Sequence, residues 1–153
     1  MCYHCSMRLV LQRVSQASVS VDGAVVGQIG QGYLLLLCVM KGDTSLQAQW
    51  LAEKVNKLRL YDGPNGKVND RSILDTKGEI LVVSQFTLAG NVEKGSRPDY
   101  TAAAGPEDAK ILYEYFMKKL RELGVGTVEG GVFGATMMVE SKNDGPVTLI
   151  LEK

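Results

Sequence analysis

Side chains able to do acid–base or nucleophilic chemistry are few in this chain, and their spacing removes most familiar catalytic arrangements. The only histidine is His4, near the start between Cys2 and Cys5. No serine, threonine or cysteine further along therefore has a histidine base to take its proton. Cys2, His4 and Cys5 are soft ligands at close spacing, but a structural zinc site closes on four ligands. No second cysteine or histidine cluster follows, so no metal is expected, and residues 1–6 read as an N-terminal extension to a domain spanning 7–153. Asp43, Asp62, Asp70 and Asp75 stand in turn contexts and form no paired-carboxylate pattern. There is no P-loop and no dinucleotide fingerprint. Chemistry in such a chain falls to backbone groups, hydroxyls and the substrate itself.

Two stretches are candidates for that role. Ser84–Leu88, SQFTL, stands where an apolar strand gives way to a polar loop, a common position for functional residues. Either Phe86 and Leu88 are core and Ser84 and Thr87 satisfy local hydrogen bonds, or backbone N–H groups there face a developing oxyanion. The second stretch is NDGPVT, Asn143–Thr148, in which turn residues run into a proline and an apolar tail. Proline lacks a backbone donor and is at home at the start of an edge strand. The other reading makes the backbone of Gly145 and Pro146 the functional part.

The elements that must position these stretches follow from periodicity and turn chemistry. Met7–Val21 reads as one extended segment, Asp22-Gly23 as a two-residue hairpin turn, and AVVGQIG as the returning strand. Gly32 opens YLLLLCVM, a continuous apolar run suited to a strand covered on both faces. A helix is predicted over 44–60, with Thr44 and Gln47 at capping-box spacing and Leu46, Trp50, Val55 and Leu58 on its inner face. Gly78 leads into a second central strand, EILVVSQFTL, followed by a long polar loop over 89–104. Pro106 starts a second helix at the position proline tolerates best, and Gly124 ends it. Two more strands are predicted, 136–141 and 147–152. The fold class is α/β: a single layered domain of mixed, barrel-like β-sheet covered by two main helices.

Composition agrees with an ordinary globular chain. Of 153 residues, 45% are hydrophobic and 22% charged. Lysine plus arginine equals aspartate plus glutamate at 17 each, which argues against broad, non-specific nucleic-acid binding but not against gripping the end of an RNA. No apolar run approaches the length of a membrane span and no secretory signal is visible, so a cytoplasmic location is expected.

SQFTL, then GSRPDY, the GPEDA helix start, FGATMMV and NDGPVT, in this order and preceded by LQRVSQASVSVDG, resemble the D-aminoacyl-tRNA deacylases. The resemblance runs from Met7 to Lys153. The SQFT form is similar to the enzymes acting on D-aminoacyl-tRNA rather than to the animal relative that edits mischarged L-alanine. It implies a cofactor-free homodimer that hydrolyses the ester of D-aminoacyl-tRNA, and of glycine mischarged on alanine tRNA, with no membrane or DNA partner. In that family Gly145-Pro146 is held cis and inserted into the partner's pocket, where its two carbonyls capture the substrate's α-amino group. An L side chain strikes that backbone, while D residues and glycine fit.

The same resemblance assigns the remaining residues. Ser84, Gln85, Phe86 and Thr87 match the other signature, with the Gln85 and Phe86 backbone against the ester carbonyl and Thr87 near the scissile bond. Ala109 matches a small pocket residue near the amino group, and Arg13 an arginine that buttresses the Gly-Pro loop. With no base for Thr87, the family chemistry that fits is attack by water helped by the 2′-hydroxyl of the terminal adenosine. Ser141-Lys142 and Ala89 depart from the residues usual at those places. A rival of another class is a non-catalytic homodimer that binds RNA ends or small amino-acid ligands in the same pocket.

Overall fold

The computed structural model describes residues 6–153; Cys2, His4 and Cys5 lie outside that range. Eight strands and two helices follow the order β1 (Arg8–Val21), β2 (Ala24–Ile29), β3 (Gly32–Cys38), α1 (Ser45–Lys57), β4 (Arg59–Tyr61), β5 (Arg71–Ser72), β6 (Glu79–Ser84), α2 (Pro106–Glu122), β7 (Val128–Gly130) and β8 (Met138–Glu152). The long strand β1 organises the sheet. Its first half, Arg8–Val14, pairs antiparallel with β3, and its second half, Ala17–Val21, pairs antiparallel with β2. Along its other edge β1 pairs antiparallel with β8. Beyond β3 the sheet continues with β6 and β7, both parallel to their neighbours.

The burial pattern of β1 shows how one strand serves two cores. Leu9 and Leu11 are buried in the main cluster, whereas Val14, Ala17 and Val19 are buried in a second one. The period-2 alternation breaks at the two places where the register with β8 shifts, between Gln12 and Val14 and between Val14 and Gln16. β3 and β6 are buried on both faces. Tyr33, Leu35, Leu37, Ile80 and Val82 join the main cluster; Leu34, Leu81 and Val83 join the second. That double covering explains their unbroken apolar sequences. The helices cover the main cluster through Leu51 and Val55 of α1 and Leu112, Phe116 and Leu120 of α2. The sheet curls until β2 meets β7, where a Cβ on Gly27 would stand 2.6 Å from the Gly130 carbonyl oxygen. Only glycine allows that approach, and the sheet becomes a nearly closed barrel around the second cluster.

Local signals account for the element ends. Asp22 and Gly23 both take positive φ, 50° and 81°, as the tight hairpin between β1 and β2 requires. The Thr44 hydroxyl accepts from the Leu46 N–H at 3.2 Å, and Gln47 Oε1 accepts from the Thr44 N–H at 2.8 Å, a complete capping box for α1. Pro106 opens α2, and Gly124 at φ 105° follows its end.

Three expectations are corrected. The buried face of α1 is Ala48, Leu51, Ala52 and Val55, while Leu46 is 74% exposed. Leu46 lies two residues, about 200° of turn, from Ala48, and the small alanines set the packed face. Trp50 and Leu58 do pack, partly buried, against the main cluster, and Trp50 also lies beneath the ammonium groups of Lys54 and Lys153, each 5.1 Å from its ring centre. The strand reaching into SQFTL stops at Ser84, and Phe86–Ala89 is a 3₁₀ turn. Finally, the two predicted C-terminal strands are one strand, β8, which continues through Asn143–Thr148.

Candidate active site

The parallel strands β3, β6 and β7 end on the same side, and the chain leaving each of them helps to wall one cavity of about 530 Å³. Val39 follows β3; Ser84, Gln85 and Phe86 lead out of β6; Phe133, Gly134, Ala135 and Met137 lie between β7 and β8. Tyr100, Ala103 and Ala104 from the long loop, and Pro106 and Ala109 from the first turn of α2, complete the wall. A cavity beyond the carboxyl ends of parallel strands is the usual place for a ligand in α/β sheets. The lining is mostly apolar and, among the described residues, includes no histidine, carboxylate, lysine or arginine.

Backbone groups dominate the polar part of this wall. The Gln85 N–H still donates to the Leu37 carbonyl at 2.8 Å, so the β3–β6 pairing holds the chain up to that residue. The 3₁₀ turn then begins, with the Leu88 N–H donating to Gln85 O at 3.3 Å and the Gly90 N–H to Thr87 O at 3.0 Å. The first N–H groups of such a turn have no partner within it and are free to meet an oxyanion. Phe86 is 58% exposed, not core, and meets Tyr100 edge-on at 5.4 Å. Behind it the Cys38 thiol lies 3.5 Å from the Phe86 carbonyl oxygen, and burial pushes its pKa up. Thr87 is exposed; its hydroxyl accepts from Gln85 Nε2 at 2.5 Å, and no general base holds it.

The Gly145–Pro146 stretch is elsewhere. Neither residue lines the cavity of its own chain. Gly145 takes φ 114° and lies against Arg13, where a Cβ would fall on Arg13 Nη2. Arg13 Nε donates to the Asp144 carbonyl at 3.1 Å and stands 3.5 Å from its carboxylate, while Nη1 donates to the Leu60 carbonyl. The expected cis bond is not present: no peptide bond among the described residues is cis. Within one chain the bond keeps its ordinary trans preference, worth about 0.5–1 kcal/mol for a residue before proline. The bend comes from the positive φ of Gly145 instead.

The structure thus brings Ser84, Gln85, Phe86 and Ala109 around one cavity and places Thr87 beside it. Arg13, Gly145 and Pro146 form a separate group. Sequence reasoning assigned no role to Tyr100, Ala103 and Met137, although GSRPDY and FGATMMV flank or contain them; nothing in their types marks them as walls of a cavity. The described residues hold no group of three or more histidine, cysteine, aspartate or glutamate side chains close enough to share a metal.

Residues 10–152 match the family model described as D-Tyr-tRNA(Tyr) deacylase. A protein of Geotalea uraniireducens named D-aminoacyl-tRNA deacylase is 56% identical over 146 residues, covering 95% of this chain and 93% of that one. One of Exiguobacterium sibiricum with the same name is 55% identical, covering 96% of this chain and 100% of its own. Among solved structures, the c-Myc DNA Unwinding Element Binding Protein superposes with a TM-score of 0.90 at 39% identity, covering 95% of this chain and 98% of its own. Another, "Structural Analysis of a probable eukaryotic D-amino acid tRNA deacylase", has a TM-score of 0.82 at 18% identity, which speaks for the fold alone. With the family model and close relatives spanning nearly its whole length, this chain belongs to the D-Tyr-tRNA(Tyr) deacylase family of hydrolases.

Proposed function

We propose that this chain hydrolyses the ester joining a D-amino acid, or glycine mischarged on alanine tRNA, to the 3′ end of tRNA, and does so as a homodimer. The observation that carries the reading is an apolar cavity whose polar edge is backbone at Ser84–Thr87, with no side chain suited to general-base work. A water oxygen bonds to the ester carbonyl carbon, passing its proton by way of the 2′-hydroxyl of the terminal adenosine. The carbonyl oxygen becomes an oxyanion beside the N–H groups of Phe86 and Thr87. The carbon–oxygen ester bond then breaks, and the departing 3′ oxygen takes up a proton. Gln85 orients the Thr87 side chain, and Ala109 leaves room at the mouth of α2; the protein positions rather than reacts.

The stereochemical filter in this reading is the backbone of Gly145 and Pro146 from a second copy. Two features support it. These residues are exposed and absent from the cavity of their own chain, so they are free to serve another. Strand β8, which carries them, pairs among the described residues with β1 alone and exposes Met138 (72%) and Ile150 (74%). A long edge strand with apolar residues outward is a surface that a second subunit covers.

Incubation with D-tyrosyl-tRNA and L-tyrosyl-tRNA tests the proposal. Rapid release of D-tyrosine with the L form spared is expected, together with a dimer in sedimentation. Binding of either RNA without turnover would favour the rival reading as a binding module and refute the enzyme reading.

A further inference from the structure

The Gly145–Pro146 stretch is a large bulge, and its anchor extends beyond Arg13. Across the β1–β8 ladder, Gln12 faces Thr148 and Val14 faces Asn143. Two steps along β1 thus correspond to five along β8, so residues 144–147 all stand opposite Arg13 alone. A bulge of this size has lost its ladder hydrogen bonds and needs another support.

The support available is the guanidinium of Arg13, which is itself held from the far side. The Arg13 guanidinium carbon lies 5.6 Å from the centre of the Tyr61 ring, and Tyr61 stacks on Tyr33 at 5.7 Å with the planes 10° apart. Leu60, next to Tyr61 in β4, accepts from Arg13 Nη1. Tyr33 and Tyr61 are buried, yet among the described residues neither hydroxyl has a hydrogen-bond partner. Within the described residues the contribution of these side chains is their stacked rings, on which the guanidinium rests. On the near side Asp144 offers both its carbonyl and its carboxylate.

We propose that Tyr61 and Asp144 are positioning residues that clamp Arg13 from its two sides and through it fix the Gly145–Pro146 bulge against the substrate's amino group. The clamp rests on the reading of Gly145–Pro146 as the stereochemical filter, and its test has one readout independent of that reading. In Tyr61→Leu the flat face beneath the guanidinium is gone. Amide exchange over residues 143–148 should quicken while that of α2 stays unchanged. The KM for D-tyrosyl-tRNA should rise about tenfold with kcat little altered, a loss of ~1.4 kcal/mol. The preference for D over L should narrow with it.

Tyr61→Phe keeps the ring and loses only an unpartnered hydroxyl, so it should restore exchange and KM to the wild-type level. Asp144→Asn, at a half-exposed position, should shift both readouts the same way by about threefold, the scale of one such ion pair. It carries the test if Tyr61→Leu fails to fold. Wild-type exchange at 143–148 in both Tyr61→Leu and Asp144→Asn would overturn the clamp whether or not the protein hydrolyses D-tyrosyl-tRNA. Faster exchange with unchanged KM and unchanged stereochemical preference would overturn its link to the substrate. A wild-type protein inactive on D-tyrosyl-tRNA would refute the filter reading, and that link with it.

Discussion

Replacing Gly145 by alanine puts a methyl group where Arg13 Nη2 now stands, at a residue whose φ is 114°. Two costs follow. An alanine held at such a φ is strained by an amount of order 1–3 kcal/mol. The guanidinium must also shift, and it is mostly buried, with 14% of its side chain exposed. Shifting it loosens the charge-assisted bonds to the carbonyls of Leu60 and Asp144, each worth about 1.5–3 kcal/mol. If the shift sacrifices one of them, the total is roughly 2.5–6 kcal/mol, a large part of the 5–15 kcal/mol typical of a domain. For a chain of this length that corresponds to a fall in Tm of roughly 5–24 °C.

A matched control separates the two costs. Gly66 also has positive φ, 75°, but an added Cβ there meets nothing within 4 Å. Gly66→Ala should therefore lose only the backbone share, roughly 2–8 °C in Tm. Calorimetry of both variants, alongside deacylation of D-tyrosyl-tRNA, forms the assay. Gly145→Ala should be clearly the less stable and should also lose most of its deacylation, while Gly66→Ala keeps it. Equal Tm values for the two variants would refute the seating of Gly145 on Arg13.

Thr87→Ala should retain substantial deacylation, since the Thr87 hydroxyl is held only by Gln85 Nε2; abolished turnover in a folded variant that still binds substrate would make Thr87 a nucleophile. A substrate ending in 2′-deoxyadenosine, acylated on its 3′ oxygen, should react far more slowly, and an unchanged rate would end the case for substrate assistance. Chelator treatment, or deletion of residues 1–6, should leave activity intact; zinc at one equivalent whose removal stops turnover would reverse this. Burial pushes the pKa of Tyr61 and of Tyr113 up to about 12 and that of Tyr33 higher still. Their neutral forms are favoured in the folded chain, so their contribution is full below the unfolded value near 10 and is lost as pH rises through the folded values. Denaturant midpoints measured from pH 9 to 12 should fall across that window, less steeply in Tyr61→Phe, and a flat profile would contradict the burial argument.

Much of the scaffold is legible in the sequence because the signals are local. Thr44 with Gln47, Pro106, Gly124 and Asp22-Gly23 each dictate an element boundary through their own backbone chemistry, and the structure keeps all four. Strands β4, β5 and β7 were not legible. They have three, two and three residues, too few to show a period, and neighbouring strands define them. β8 was divided because Asn143, Asp144, Gly145 and Pro146 are strong turn residues; the turn is real but is absorbed as a bulge in one ladder. Phe86 was weighed as core because aromatic residues usually are, yet the 3₁₀ turn swings it to the cavity edge. Arg13 shows the limit most clearly. Alone in a strand it reads as a surface charge; the family resemblance points it at the Gly-Pro loop, and the register opposite residues 144–147 supplies the physical reason.

The sparse inventory of reactive side chains has a structural counterpart. A cavity lined by Val39, Val83, Phe86, Ala103, Ala109 and Phe133 presents few side-chain donors, so its polar contacts come from the chain ends that converge there. Parallel pairing of β3, β6 and β7 is what brings those ends together, and the glycine at 27 lets the sheet close tightly enough to hold them. In the proposed reading, selectivity by backbone alone demands rigidity, because a main-chain group that moves by an ångström no longer excludes the wrong hand. On the Ser84–Thr87 side rigidity comes from the β3–β6 ladder and the 3₁₀ turn. On the Gly145 side the ladder is interrupted, and a mostly buried arginine between an aromatic ring and two acceptors takes its place. The two halves are built by different physics because one continues a central strand and the other departs from an edge strand.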